Sequence, residues 1–353
     1  VGNASIFQPP VDESGPFGYL AEKASTNLAI QSEAIGTWTG IGGVDGQTNS
    51  LTGASNASLL TETNTADIQR NYRTVTATTN CTLSCYAKAG TRNFVTLSGV
   101  VGGSDFAAAA FDLSAGTAQT AQENGTVTGQ SNIESVGGGW YRCSLSLQSS
   151  SGAISQIKVG LSNTATPTFG GWGDLYYTGN GSTAYFFGAQ LELGTYPTSY
   201  IATTTSGVTR NADVLIAGDM VTDAAGSAYA EASAIWNSGG NKLLLARTSN
   251  AQILVGSSGP PTSIATYNGV FASATGSGAS YKDAPLPLAV TWGADLIVYK
   301  EGTGGTPATY NGQWGTGDLG IGNTNGGGLQ WDGTVREVKI FNSELTAAEV
   351  GDL

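Results

Sequence analysis

Apolar and polar residues alternate along most of this chain with the two-residue period of a half-buried strand. In the first half the alternation runs through Arg73–Thr79, Thr82–Ala87, Phe94–Val101, Ala107–Leu113, Trp140–Leu147, Ile154–Leu161 and Ala184–Leu193. Clusters of Gly, Asn, Ser and Thr separate these runs, as turns require. In the second half it returns at Ala228–Trp236, Asn241–Thr248, Leu286–Trp292, Ala294–Gly302 and Leu319–Asn323. Helical signals are confined to the tail, where Thr346 and Glu349 form a Thr-x-x-Glu capping box ahead of a short apolar turn. The pattern predicts an all-β protein: two tandem antiparallel β-sandwich domains and one short C-terminal helix.

The stretch from Ala184 to Val214 marks the join. An apolar run with Gly188 inside it ends at Leu193, then Gly194, Pro197 and a Ser/Thr run interrupt, and a new apolar run opens at Val214. Gln8-Pro9-Pro10 and Gly15-Pro16 disfavour regular structure near the start. The expected boundaries are an N-terminal arm at 1–20, a first domain at 21–203, a linker at 204–211 and a second domain at 212–353.

Composition narrows the functional classes. The 353 residues include 52 glycines and only 11% charged residues, so Ser, Thr, Asn, Gln and Gly must make up much of the surface. A net charge of −12 argues against nucleic acid and anionic membrane surfaces as partners. It also suits anionic polysaccharides poorly, unless a local basic patch offsets it. No apolar run reaches the roughly 18 residues of a membrane helix, and no signal peptide is visible. The chain begins at Val1 rather than Met, which implies processing or trimming. Histidine is absent. That removes Ser-His-Asp and Cys-His nucleophile systems, the commonest general base and most zinc sites.

Three cysteines occur, Cys81, Cys85 and Cys143. On one strand Cys81 and Cys85 share a face about 13 Å apart, too far to bridge. The expectation is three free core thiols, with a bridge from Cys143 to Cys81 or Cys85 as the alternative.

Several phrases carry a family resemblance. Thr26, Asn27, Leu28, Ser32, Glu33 and Trp38, then SCYAKAGTR at Ser84–Arg92, GGGWYRCSLS at Gly137–Ser146, and FFGAQLELG at Phe186–Gly194 span nearly all of the first domain. Together with the junction wording they resemble phage tail-fibre and virion-appendage proteins with a carbohydrate-binding-module-like jelly roll. In the second domain Trp292, Leu296, Tyr299 and Gly302 precede a closing phrase at Gly333, Val335, Val338, Ile340, Leu345 and Glu349. That order resembles the laminin-G/concanavalin-like jelly roll. The resemblance implies folding in a host cytosol and residence on a virion surface, in a tail fibre, tail tip or head fibre.

Candidate chemistry lies in two Gly-rich loops. A sugar's C–H face stacks on a flat ring, so exposed aromatics are what a neutral-glycan site would use. FGGWGDLYY (Phe169–Tyr177) offers Trp172, Asp174, Tyr176 and Tyr177. YNGQWGTGD (Tyr310–Asp318) offers Tyr310 and Trp314. Trp38, Trp140, Trp236 and Trp292 sit in apolar strand contexts and are expected in cores. Jelly-roll modules often hold calcium, for which Asp45, Asp174 and Asp332 are candidate ligands, although no D-x-D-x-D-G loop occurs. Glu231 lacks an acidic partner at alternating positions, so paired-carboxylate glycoside hydrolysis is not expected.

These readings converge on a non-enzymatic virion surface protein that attaches by weak glycan binding, without a resident cofactor. It is expected to contact other virion proteins and to be a homo-oligomer, with a trimer as the guess. The alternatives are a structural decoration protein without ligand and a polysaccharide-degrading enzyme with a binding module.

Overall fold

A computed structural model describes residues 18–77, 80–102, 104–235, 242–248, 251–256, 263–267, 271–275, 285–312, 314–324 and 329–353. The protein is all-β and antiparallel, with one short helix among these residues. They fall into two compact units, 25–210 and the pair of segments 18–24 and 211–353.

The first unit is built on one long hydrogen-bonded ribbon folded over onto itself. Its strand order is Thr39–Gly40, Arg70–Ala77, Ile154–Ser162, Phe94–Val101, Phe106–Asp112, Gln122–Asn124, Val127–Gly137, Trp140–Ser149, Asn80–Ala89, Thr183–Leu193, Ser55–Thr61 and Val44–Thr48. Leu97, Ala109, Ile157 and Val159 from one layer share a core with Leu83, Leu145, Leu147 and Leu191 from the other. The layers approach so closely at Gly99 that a Cβ there would lie 2.3 Å from Leu147 Cδ1. A jelly-roll-type sandwich results. The Phe94–Val101 strand matches its predicted span, and the neighbouring predictions differ from the observed strands mainly at their ends.

Cys81, Cys85 and Cys143 are free and buried in this core. Cys143 lies directly across from Cys85 on the adjacent strand. Burial pushes the Cys81 and Cys85 thiols up to about 12, and Cys143 also rises. At neutral pH they are protonated, small apolar fillers.

The junction wording has a structural meaning. Asn27 is fully buried. Its Nδ2 donates to the carbonyls of Ala189 (3.1 Å) and Ile201 (2.8 Å), and its Oδ1 accepts from the amides of Ala29 and Leu191. Gln190 Nε2 donates to Thr198 O at 3.1 Å, and its Oε1 accepts from Ile201 N. Glu192 accepts from Ser25 Oγ and from both the amide and the hydroxyl of Thr198. Gly188, at φ +63°, permits the strand irregularity between Phe187 and Gln190. The segment after Leu193 is thereby held against the opening strand Ser25–Asn27, which also pairs with Val208–Arg210.

The second unit packs two sheets. One runs Tyr19–Ala21, Gly333–Phe341, Gly226–Ala234, Leu286–Trp292, Asp295–Lys300 and Thr303–Gly304. The other runs Leu215–Ala217, Leu319–Ile321, Lys242–Thr248, Ala251–Gly256, Ser263–Tyr267 and Phe271–Thr275. Small residues in the Gly226–Ala234 strand make room for large ones: a Cβ on Gly226 would meet the Trp292 ring at 2.3 Å. Helix Ala347–Gly351 carries the predicted capping box between Thr346 and Glu349. Its Val350 packs on Tyr229, Ala289 and Tyr299.

The arm reading needs one correction. Tyr19 and Leu20, assigned to an irregular arm, are strand residues paired with Val335 and Thr334. The prolines all precede this segment, and three residues are too few to show a period. The chain therefore enters the second unit briefly, crosses to the first at 24/25, and returns at 210/211.

Asn27→Ala removes four buried hydrogen bonds and orphans their backbone partners, so we expect a loss of about 3 kcal/mol in the first unit's stability. Urea denaturation followed by Trp fluorescence measures it. A loss under about 0.5 kcal/mol would remove this network from the determinants of the fold.

Candidate functional site

The loop after Ser162 lies on the outer face of the first unit's sheet. Phe169 and Leu175 anchor it by packing on Val100, Phe106 and Ala108. Between these anchors Gly173 N donates to Gly170 O and Gly170 N donates to Asp174 O. Gly173 (φ +63°) sits so close to the sheet that a Cβ would be 2.3 Å from Ser98 Oγ and 3.0 Å from the Phe106 ring. Only glycine fits there, and the turn turns its bulky residue outward. Trp172 is 44% exposed.

Trp172 also has φ +67°, a left-handed conformation that an aromatic residue rarely adopts. What holds it is a buried cation. Lys158 Nζ, rising from the Ile154–Ser162 strand, donates to Trp172 O and to Asp174 Oδ1, both at 2.7 Å. Arg70 completes the cluster, with Nε at 2.9 Å from Asp174 Oδ1 and Nη2 at 3.4 Å from Oδ2. The Lys158 side chain is only 3% exposed. Burial pulls its amine below the ordinary lysine value, and Asp174 opposes that shift.

Tyr176 and Tyr177 separate onto opposite faces, as neighbours on a strand do. Tyr176 is 70% exposed and stands two residues beyond Asp174. Tyr177 turns inward, and its hydroxyl donates to Glu62 Oε1 at 2.5 Å. Glu62 also receives Arg92 through two 2.7 Å bonds and the amide of Asn180. Burial raises the Glu62 carboxyl, but Arg92, Tyr177 and Asn180 together outweigh it and hold the group below its ordinary value. Of the four residues proposed in this loop, then, Trp172 and Tyr176 are presented to solvent. Asp174 braces the loop, and Tyr177 belongs to the support beneath it.

In the second unit the proposed pair behaves differently. Trp314 is 2% exposed and stacks edge-on against Trp292, with ring centroids 5.6 Å apart. Tyr310 lies 6.1 Å from Trp314, and its hydroxyl donates to Asp223 O. Arg247, itself buried, donates to the Gly315 and Val221 carbonyls and pairs with Asp219. These contacts draw the loop inward, so Trp314 fills core and has no ring face left for a sugar. Trp38, Trp140 and Trp292 are buried as expected, and Trp236 lies outside the described residues.

The three candidate calcium ligands are engaged elsewhere. Asp45 Oδ1 accepts from Gly36 N and Ser58 Oγ. Asp174 holds two cations. Asp332 accepts from Lys23 N and pairs with Lys242 at 2.7 Å. Among the described residues no three His, Cys, Asp or Glu side chains gather as a metal site, and no helix is long and apolar enough to cross a membrane.

No protein-family model and no curated protein matches this chain. Several solved structures show distant similarity. A Bacteroides ovatus protein described as carbohydrate binding is 12% identical, with 81% of this chain and 80% of that one covered and a TM-score of 0.31. Mouse laminin α1 domains LG4-5 are 10% identical over 86% and 91%, with a TM-score of 0.25. A Trypanosoma rangeli sialidase solved with sialic acid is 14% identical over 90% and 55%, with a TM-score of 0.30. At such scores the assignment of fold rests on the strand order and cores described above.

Two outcomes follow from this geometry. Trp314→Ala should lower stability by roughly 3–5 kcal/mol, as for a buried large-to-small change, whereas Trp172→Ala should change it by under about 0.5 kcal/mol; thermal unfolding of the two variants compares them. The folded-state shift at Glu62 is downward, so its stabilisation is complete above its ordinary value of 4.5 and is lost as pH falls through the lowered one. Glu62→Gln should therefore flatten the acid limb of the stability–pH curve. An unchanged limb would show that this carboxylate does not set acid stability.

Proposed function

We propose that the protein is a glycan-binding surface protein, and that it serves on a bacteriophage virion as an attachment or decoration component. The observation that carries the binding reading is Trp172. An exposed indole is held in a left-handed turn by a buried lysine, with exposed Tyr176 close by on the same loop. A side chain held against its own backbone preference, and kept in water, is arranged for something outside the chain. Two aromatic surfaces on a rigid sheet suit the C–H faces of consecutive sugar units. The virion reading is supported by the junction and first-domain wording alone. Repeated weak contacts in a homo-oligomer, for which a trimer is proposed, would supply avidity.

Binding is favoured over catalysis because the loop's own carboxylate and the one beneath Tyr177 are already committed. Asp174 is tied to Arg70 and Lys158, and Glu62 to Arg92. Glycoside hydrolysis needs two carboxyl groups able to exchange protons with substrate and water. A purely structural decoration role is favoured by one observation, the burial of Trp314, which takes one of the two proposed contact loops out of play.

A double variant, Trp172→Ala with Tyr176→Ala, should keep its fold and oligomeric state and lose at least about ten-fold in binding to host envelope material, in keeping with two stacking contacts of about 1 kcal/mol each. Unchanged binding in pull-down and adsorption assays would leave the decoration role.

A further inference from the structure

Resting on the glycan reading of the Trp172 face, we propose that its ligand carries an acidic group, a uronate or sialate carboxylate, which Arg70 receives between the two aromatic contacts. Two short rails run side by side here. One is Trp172, Asp174 and Tyr176, at alternate positions along the loop. The other is Ile68, Arg70 and Tyr72, at alternate positions along the adjoining chain. They are joined by the register of Tyr176 with Ile68 and by the Arg70–Asp174 pair. The guanidinium lies 4.6 Å over the Tyr72 ring, which fixes its plane. The cation is therefore held against Asp174, the residue that lies between Trp172 and Tyr176 in the loop.

Arg70 is only partly used. Its Nε and Nη2 face the two oxygens of Asp174, and among the described residues Nη1 has no hydrogen-bond partner. Its side chain is 19% exposed. The free edge presents N–H donors in the planar fork that suits a carboxylate. Local charge agrees. Arg70 and Lys158 against Asp174 leave one net positive charge, in a chain whose total is −12. The nearest acid on the adjoining ribbon, Asp67, is opposite Tyr177 and so lies on the face turned away from Tyr176. This is the local offset that an acidic protein needs in order to accept an anionic sugar. A single positive charge suits a glycan with isolated carboxylates better than a dense polyanion.

The test is an array carrying uronic-acid and sialic-acid glycans beside their methyl-esterified counterparts and neutral oligosaccharides, probed with the full chain. Titration of trigalacturonate and 3′-sialyllactose against the trigalacturonate ester and lactose then tells the two acid sources apart. Acidic members should bind at least about ten-fold more tightly than their esters, the effect of one charge-assisted pair. The preference should shrink as salt rises. Arg70→Gln should abolish it while residual binding of the esters persists, and Arg70→Lys should keep only part of it. Thermal unfolding of both variants separates loss of contact from loss of fold. Equal binding of acids and esters, or a preference that survives Arg70→Gln, would overturn the acidic-ligand inference and leave the glycan reading standing. Absence of signal on every printed glycan would overturn both.

Discussion

The buried polar network around Asn27, Gln190 and Glu192 is the constraint on which the first unit depends. Polar groups removed from water must find partners inside, or each is destabilising by a kcal/mol or more. Here the partners are backbone groups of segments far apart in sequence: Ala29 near the start, Ala189 and Leu191 in the closing strand, and Thr198 and Ile201 beyond it. An apolar residue at any of the three positions could fill the space but could not specify which carbonyl lies where. The network fixes register as well as stability. With the closing strand set, the Asn80–Ala89 strand beside it and the layer folded over it are set too.

That rigidity is what allows a strained loop to persist on the outer face. Lys158 stands on a strand whose alternate residues, Ile157 and Val159, are locked in the core. Its amine is delivered to one place, and the Trp172 carbonyl and Asp174 carboxylate converge on it. A loop on a flexible support would relax the left-handed residue and fold the indole down. The ordered sheet keeps it up, and the same sheet carries Arg70 and Tyr72 alongside.

Much of the fold was legible from period alone, since strands with one or both faces apolar announce themselves. Phe94–Val101 could be read to the residue. Val127–Gly137 could not, because its outward positions are Thr, Gln, Asn and Glu and its apolar residues are only Val127, Ile133 and Val136. The short strand at Tyr19–Ala21 was hidden for a different reason: its partner lies at the far end of the chain. At the site, Trp172 and Trp314 have almost the same neighbours, Gly-Gly-Trp-Gly and Gly-Gln-Trp-Gly, yet one is exposed and the other buried. The difference lies in distant residues: Gly173 pressed on Ser98 in the first case, and Trp292 with Arg247 in the second. Lys158 and Arg70 carry no signal of their role in the sequence, because only the folded sheet brings them to Asp174.

The early strand Tyr19–Ala21 sets a schedule for synthesis. It leaves the ribosome among the first described residues, but Gly333–Val335, which it pairs with, is among the last. The whole first unit can be translated and closed in the interval. Until then three residues with an open backbone edge wait unpaired, and the second unit can be completed only once Gly333–Val335 has been made.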